Sequence, residues 1–197
     1  MVKLATDYFL HTDVVMMAKD LLGKVICTNN GGVYTSGIIS ETEAYAGSID
    51  KASHAYGNRR TDRTEVMFHT GGIAYVYLCY GIHHLFNFVT NVENIPHAVL
   101  LRGIIPLEGF DEMEKRRNMK FRSKGFTDGP GKVSKALGIT VNDNGTDLQG
   151  DKIWIEDRGI KVHNKDIYTG PRIGVDYAGD AASWPYRFLI SKIDRYQ

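Results

Sequence analysis

A glutamate, an arginine and an asparagine fall on segments that otherwise predict buried β-strands. Side chains alternate between the two faces of a strand, so Glu41, Glu43 and Tyr45 share one face of the segment ETEAY. Arg102 lies in line with apolar residues in AVLLRG, and Asn87 stands between two phenylalanines in FNFVT. A buried charged or amide group costs several kcal/mol unless it is paired or used. Such residues either pair inside the fold, Glu43 with Arg102 for example, or perform acid–base and hydrogen-bonding chemistry.

Four tyrosines are the feature that favours a site. Tyr75 and Tyr77 share a face of IAYVYLCY, and Tyr80 occupies a predicted hairpin tip. Tyrosine is common in strands, so by itself this pattern predicts only a core. Together with Tyr45 and the polar residues, however, the tyrosines indicate an aromatic-walled pocket that holds one acid. Such walls stack against planar ligands, nucleobases above all, and an exposed tyrosine at a hairpin tip is suited to wedging between base pairs.

The elements that must position these residues are mainly strands with short connections. Short connections require antiparallel neighbours, because a parallel crossover needs a dozen residues or more. The predicted strands cover residues 24–28, 33–45, 73–80, 86–90, 97–105, 154–157, 172–177 and 184–190, and helices are predicted at 12–23, 106–120 and 129–139. The fold class is therefore α+β: one domain over residues 1–197, with a curved, mostly antiparallel, open-barrel-like sheet and flanking helices.

Composition excludes several classes of protein. The 197 residues include 24 Lys+Arg against 23 Asp+Glu and only two cysteines, which argues against a disulfide scaffold. No stretch of apolar residues is long enough for a transmembrane helix, and no secretory signal is visible. We therefore expect a protein that is not secreted and has no membrane partner, located in the cytoplasm and, in a bacterium, associated with the nucleoid.

Local clusters of cations matter more than the net charge of +1. Arg59, Arg60 and Arg63 follow the ASHAY segment, and Lys132 lies at the start of a predicted helix, where backbone amides favour a phosphate. A second basic cluster spans residues 115–124 but follows several acidic residues. We expect contacts to a phosphate backbone from the loop at 59–63 and from Lys132 rather than from the second cluster.

Six motifs, in this order, resemble the alkyladenine (3-methyladenine) DNA glycosylases. They are TEAY, ASHAY, MFHTGGIAYVYLCYG, AVLLRGIIPLEG, GPGKVSKALGI and PRIGV, and the set of YVYLCYG, TEAY and VLLRG is highly specific. The resemblance implies a single-domain antiparallel-sheet fold and a monofunctional base-excision enzyme without lyase activity. It also implies an enzyme that needs no metal or cofactor. Its partner would be double-stranded DNA that contains damaged purines such as 3-methyladenine, 7-methylguanine, hypoxanthine or ethenoadenine, and the expected state is a monomer.

The resemblance also implies residue roles. Glu43 matches the carboxylate that activates water, and Arg102 matches the arginine near that water. Tyr45, Tyr77 and His54 match the residues that sandwich an extruded base, and the His54 main-chain amide is expected to read the edge of that base. Tyr80 matches the residue that fills the gap in the duplex. Asn87 matches the residue that excludes guanine through its exocyclic amine.

Two departures from the family pattern flank the predicted hairpin that carries Tyr80 at its tip. Thr70-Gly71-Gly72 replaces a proline-containing turn, and His83-His84 follows the wedge. Both bear on the rigidity of the hairpin and its affinity for a duplex more than on chemistry.

Two other classes of function stay open at this point. A non-catalytic nucleic-acid-binding module of similar fold has little use for a buried acid. A metal-dependent hydrolase would have to draw ligands from Cys79, His83, His84 and His97, whose spacing fits no familiar metal motif.

Overall fold

Nine antiparallel strands form one sheet in the computed structural model, which describes residues 2–191. The strands are β1 (Val2–Lys3), β2 (Val25–Asn30), β3 (Val33–Tyr45), β4 (Ala74–Cys79), β5 (His83–Thr90), β6 (His97–Glu108), β7 (Ile153–Asp157), β8 (Ile167–Gly170) and β9 (Arg187–Ile190). The helices are α1 (Val14–Asp20), α2 (Phe110–Arg117) and α3 (Pro130–Leu137). None of the helices within residues 2–191 has the length and apolar character needed to cross a membrane.

The long strand β3 organises the sheet. The main order of strands is β1-β7-β2-β3-β6-β5-β4, and β9, which also pairs with β8, joins β3. The first half of β3 pairs with β2, whereas Glu41, Thr42 and Glu43 in its second half pair with β9. The sheet is open in the described residues, because β1 and β4 lie at its two ends.

Helices cover one face of this sheet. Helix α1 packs on β3, α3 packs on β5 and β6, and α2 packs on α3. Asp13 caps α1 by accepting from the amides of Val15 and Met16, and α3 begins with Pro130, which suits a first helical turn. The main apolar core lies between these helices and the sheet. The opposite face carries smaller clusters around Tyr75 and Tyr45, and this is the face available to a site.

Two adjacent bulges occur where β3 meets β6. Ile39 pairs with Ile104 and Glu41 pairs with Gly103, so Ser40 is an extra residue on β3. Thr42 then pairs with Leu101, so the next extra residue, Arg102, is on β6. A bulge bends a strand and re-aims its side chains. These two bulges lie beside Glu41 and Arg102, at the centre of the sheet.

Most of the elements predicted from the sequence are confirmed. The strand predicted at 172–177 is wrong: Gly174 has φ +76°, and a 3-10 helical segment begins at Asp176, so the chain does not extend there. The helix predicted at 106–120 begins only at Phe110, because residues 106–108 complete β6 and Gly109 has φ +80°. Strands β1 and β8 were not predicted from the sequence.

Candidate functional site

A cavity of about 550 Å³ opens on the face of the sheet that the helices leave free. Its volume is that of an ordinary small-ligand pocket. Eight of the residues predicted for a site line this cavity: Tyr45, His54, Arg63, Tyr77, Tyr80, Asn87, Arg102 and Lys132. Tyr75, His83 and Tyr177 are also part of its wall. The sequence-based grouping of aromatic, amide and guanidinium side chains is therefore present in three dimensions.

Glu43 lies directly behind this wall rather than on it. Its side chain is 0% exposed. Its Oε1 accepts from the main-chain N–H of Ile173 at 2.8 Å, and its Oε2 accepts from the hydroxyl of Tyr45 at 2.9 Å. The Nε of Arg102 is 3.4 Å from Oε1. Since Tyr45, Arg102 and Ile173 all line the cavity, the carboxylate is one side chain away from it.

The surroundings of Glu43 act on its pKa in opposite directions. Burial raises the pKa above the ordinary glutamate value, while Arg102, the Ile173 amide and the Tyr45 hydroxyl lower it by stabilising the charged form. Burial is the largest effect, so the net shift is upward. A carboxylate accepts up to about four hydrogen bonds, so Glu43 has lone pairs left for a further donor.

The sequence predicted a pocket that holds one acid, but Glu43 has a second acid beside it. Glu41 shares Arg102 with it: the Nε of Arg102 donates to Glu41 Oε1 at 2.9 Å, closer than its approach to Glu43. Arg187 donates its own Nε–H to the same oxygen of Glu41 at 2.6 Å. Neither the role of Glu41 nor that of Arg187 was found from the sequence, because their link spans two strands far apart in the chain.

Tyr45 is held from behind by a buried ion pair that the sequence did not reveal. The guanidinium of Arg172 lies 4.7 Å from the centre of the Tyr45 ring. Arg172 binds both carboxylate oxygens of Asp50 and also donates to the main-chain oxygens of Ala44 and Ala181. Both charged side chains are fully buried, so Tyr45 is fixed on a rigid support.

A second group of aromatic side chains in the cavity wall consists of His54, Tyr75 and Tyr77. His54 contacts Tyr77 edge to face with ring centres 4.7 Å apart, and Arg63 lies 4.8 Å from the centre of the Tyr77 ring. Tyr45 and Tyr77 both line the cavity, and no ring contact joins them in the described residues. We call the part of the cavity that these two tyrosines line the slot.

His54 is neutral and has a defined tautomer. Its Nε2 is 3.3 Å from the Nη2 of Arg63, and arginine has no acceptor, so Nε2 accepts and Nδ1 carries the proton. Nδ1 then donates to the hydroxyl oxygen of Tyr75 at 2.9 Å. Burial, helped by Arg63 and Arg59, lowers the pKa of His54 to about 4. The main-chain N–H of His54 has no acceptor within residues 2–191.

Asn87 is a fixed polar group in the wall. It is 4% exposed, and its Nδ2 donates to the main-chain oxygens of Tyr75 at 3.1 Å and Leu85 at 3.4 Å. These two hydrogen bonds hold the amide against the backbone of β4 and β5.

Tyr80 stands at the tip of the β4–β5 hairpin, 90% exposed. Tyr80 and Gly81 have φ values of +51° and +72°, the left-handed conformation found at both central residues of type I′ turns. Glycine and asparagine favour this conformation and tyrosine does not. A bulky aromatic residue in a strained, solvent-exposed turn indicates a functional constraint.

The two departures from the family pattern, His83-His84 and Thr70-Gly71-Gly72, both pack without conflict beside this hairpin. The Nδ1 of His84 accepts from the amide of Val141. A side chain at Gly131 would lie within 3.0 Å of His83, so a glycine allows the hairpin to pack against α3. Gly71 donates to the Asn91 main-chain oxygen and is also too confined for a side chain.

The basic side chains predicted to contact phosphates differ in whether another residue already binds them. Arg60 binds both oxygens of Glu65 and lies over Phe68. Arg59 is exposed, and its guanidinium has no hydrogen-bond or ion-pair partner in the described part of the chain. With Arg63 it lines a cleft of about 300 Å³ beside the cavity. Lys132 pairs with Asp128 at 2.7 Å.

The histidines and Cys79 that a metal-dependent hydrolase would need do not form a group of three ligands, although Cys79 lies opposite His83 in the hairpin. Within residues 2–191, no three His, Cys, Asp or Glu side chains lie close enough to form a metal site. His84 and His97 are instead hydrogen-bonded to Val141 and Asn91.

Comparison with known proteins identifies the family. A protein of Chlamydia abortus is 48% identical over 188 residues, covering 95% of this chain and 97% of that protein. Proteins of Bacillus mycoides and Clostridium perfringens are 44% and 42% identical over 95% of this chain and over 96% and 95% of their own lengths. All three carry the provisional name 3-methyladenine DNA glycosylase. The sequence model of the methylpurine-DNA glycosylase family matches residues 8–193. That range contains every residue of the cavity, and the match confirms the resemblance that the motifs indicated. The chain therefore belongs to the methylpurine-DNA glycosylase family.

Proposed function

We propose that this chain flips alkylated or deaminated purines out of double-stranded DNA into the cavity and hydrolyses their N-glycosidic bonds with a water activated by Glu43. The substrate class comprises 3-methyladenine, 7-methylguanine, hypoxanthine and ethenoadenine. The observation that carries the proposal is the fully buried carboxylate of Glu43 in contact with Tyr45, Arg102 and Ile173, three residues that line the cavity. Membership of the family supports an enzyme over a non-catalytic binding module.

The reaction needs one acceptor for a proton. The water oxygen forms a bond to the sugar C1′ while the bond from C1′ to the purine nitrogen breaks, and the purine leaves with the electron pair. Glu43 takes the proton that the water loses, and its negative charge stabilises the oxocarbenium-like sugar. The raised pKa favours this step, because a stronger base takes a proton more readily.

Arg102 and the Ile173 amide keep Glu43 in place for this step. The Ile173 amide donates to the carboxylate, the charge of Arg102 lies 3.4 Å from it, and both residues line the cavity. Catalytic contacts in a free enzyme are often loose and tighten in the complex. A water between Glu43 and the cavity needs only one of the remaining lone pairs of the carboxylate.

The walls account for binding of the base. An extruded purine fits the slot between Tyr45 and Tyr77, where stacking is sequence-tolerant. The unpartnered main-chain N–H of His54 is available to an acceptor on the edge of the base. Asn87, fixed by two hydrogen bonds, supplies bulk where a guanine would place its exocyclic amine. Tyr80 fills the gap that the base leaves in the duplex.

An alkylated purine is already cationic, so it leaves as a neutral base without an acid. Cation–π attraction to the walls contributes on the order of 1–2 kcal/mol per desolvated ring. Arg172 and Arg63 already lie over Tyr45 and Tyr77, so these rings are shared with a protein cation and that contribution is at the low end. Because the walls favour a cationic base only weakly, a neutral base such as hypoxanthine loses little binding relative to an alkylated one.

The test is release of free purines from methylated duplex DNA by Glu43→Gln. We expect excision to be lost by a factor of at least about 10², with binding to a duplex that contains a lesion retained in a mobility-shift assay. Glu156→Gln is the matched control, because Glu156 also receives an arginine Nε–H in the same sheet but lies outside the cavity. Release of 3-methyladenine by Glu43→Gln at the wild-type rate removes Glu43 from the reaction.

A further inference from the structure

Glu41 is a second buried carboxylate of β3 that takes no part in the reaction described above. Its side chain is 9% exposed, and those of Arg102 and Arg187 are 11% and 19% exposed. With Glu43, which is fully buried, these residues form an alternating chain of charges: Glu43, Arg102, Glu41 and Arg187. The chain runs across β6, β3 and β9, so it joins three strands at the floor of the site.

The bulges create this alignment. Arg102 is the extra residue of β6 and has no partner opposite it on β3, while Glu41 immediately precedes the register change. Gly103 leaves room for Glu41, since a Cβ there would lie 3.0 Å from the Glu41 Cβ and 3.4 Å from its Oε2. The backbone is thus shaped around the contact between Glu41 and Arg102.

Arg102 is shared unequally between its two carboxylates. The Nε of an arginine carries a single hydrogen, and this hydrogen is donated to Glu41 at 2.9 Å. Glu43, at 3.4 Å from the same nitrogen, receives the attraction of the charge but not that hydrogen bond. A hydrogen bond to the ionised form of an acid makes it a weaker base, so Glu41 takes from Arg102 a bond that would weaken Glu43.

We propose that Glu41, anchored by Arg187, is a positioning residue that holds Arg102 between the two carboxylates so that Glu43 stays basic enough to activate water. The proposal rests on the function proposed above. Without the charge of Glu41, the Nε–H of Arg102 turns to Glu43. The reacting carboxylate then becomes fully paired and loses basicity, and the guanidinium moves away from the cavity wall. The repulsion from Glu41 that supports the raised pKa of Glu43 is lost at the same time.

The first variant is Glu41→Gln, which keeps the size of the side chain and removes the charge. We expect the acid limb of the pH profile of kcat to move down by about one pH unit and kcat at neutral pH to fall by about 10-fold or more. A second variant, Arg187→Met, should move the acid limb of the kcat profile to higher pH. Glu41 then has Arg102 as its only partner and draws it further from Glu43. Glu156→Gln loses a comparable contact with an arginine Nε and should leave the limb in place.

A titration of the Glu43 carboxyl carbon by NMR gives the same answer without any turnover. A lower pKa in Glu41→Gln and a higher one in Arg187→Met support the proposal. A Glu43 pKa and an acid limb equal to those of the wild type in folded Glu41→Gln overturn it and leave Glu41 a structural residue. If Glu41→Gln does not fold, an unchanged or lowered pKa in Arg187→Met overturns the proposal. Absence of purine release by the wild-type protein, by contrast, overturns the proposed function and leaves the titration to judge Glu41.

Discussion

Glu43 is placed where burial and hydrogen bonding oppose each other. Complete burial disfavours the charge, yet one main-chain amide and one hydroxyl donate to the carboxylate, and the guanidinium of Arg102 lies 3.4 Å from it. Each of the two donors fixes the orientation of the acid at some cost in basicity. The hydroxyl of Tyr45 is the donor that is removable with the least disturbance, because its ring is held independently by Arg172.

Tyr45→Phe therefore isolates one donor. We expect the pKa of Glu43 to rise, since a hydrogen bond to the charged form is lost, and the acid limb of excision to move to higher pH. Activity is lost as the pH falls through the raised pKa, because the protonated acid is unable to accept a proton from water. Folding stability should fall by about 1 kcal/mol for the missing hydrogen bond. A pH profile of 3-methyladenine release and thermal unfolding measure both effects; a limb at lower pH contradicts this account.

Residue types were more predictable than their partners. Alternation placed Glu43 and Tyr45 on one face and suggested that Arg102 belonged with them. Their actual partners come from distant segments: Ile173 is 130 positions from Glu43, and Asp50 is 122 positions from Arg172. No local pattern encodes such pairings. The sequence therefore indicated a pocket with an acid but not that the acid shares its arginine.

At the scale of elements, irregular backbone was the feature that sequence patterns missed. The bulge at Ser40 reverses which face each residue of β3 occupies, so Ile39 and Ala44 both reach the main core although their positions differ by an odd number. A strict alternation across residues 33–45 assigns one of them to the wrong face. The hairpin tip was predictable, because a Tyr-Gly pair between two strand patterns indicates a tight turn.

The strain at that hairpin tip leads to a trade-off. Tyr80→Asn should raise folding stability by up to about 1 kcal/mol, because asparagine tolerates a positive φ better than tyrosine does. The same change should lower excision from duplex DNA by at least about 10-fold, because nothing then fills the gap left by the flipped base. Thermal unfolding and release of purines from a duplex measure the two effects. Tyr80→Phe is the control that keeps the wedge, and wild-type excision by folded Tyr80→Asn would show that no wedge is needed.

At the scale of the molecule, the net charge of +1 conceals an uneven distribution. Lys51, Arg59 and Arg63 line the cleft beside the cavity, and no acidic side chain of the described residues lines it with them. In the second basic cluster, Lys120 and Arg116 pair with Glu114 and Glu112. These three cations, which have no acidic partner in the described residues, thus lie in a cleft next to the cavity, where we expect the backbone of a flipped nucleotide to pass.

Two adjacent arginines allow this distribution to be tested. Each phosphate neutralised by a cation contributes about 0.9 to the slope of log K against log salt. Arg59→Gln should therefore reduce the slope by about 1 and weaken binding alike for damaged and undamaged duplexes, since a phosphate contact carries no base information. Arg60→Gln is the matched control, because both oxygens of Glu65 already hold that guanidinium, and its slope should equal that of the wild type. The measurement is a salt titration of duplex affinity with both variants. Equal slopes for Arg59→Gln and the wild type would move the phosphate path away from the cleft, and a reduced slope for Arg60→Gln would mean that DNA displaces Glu65 from its arginine.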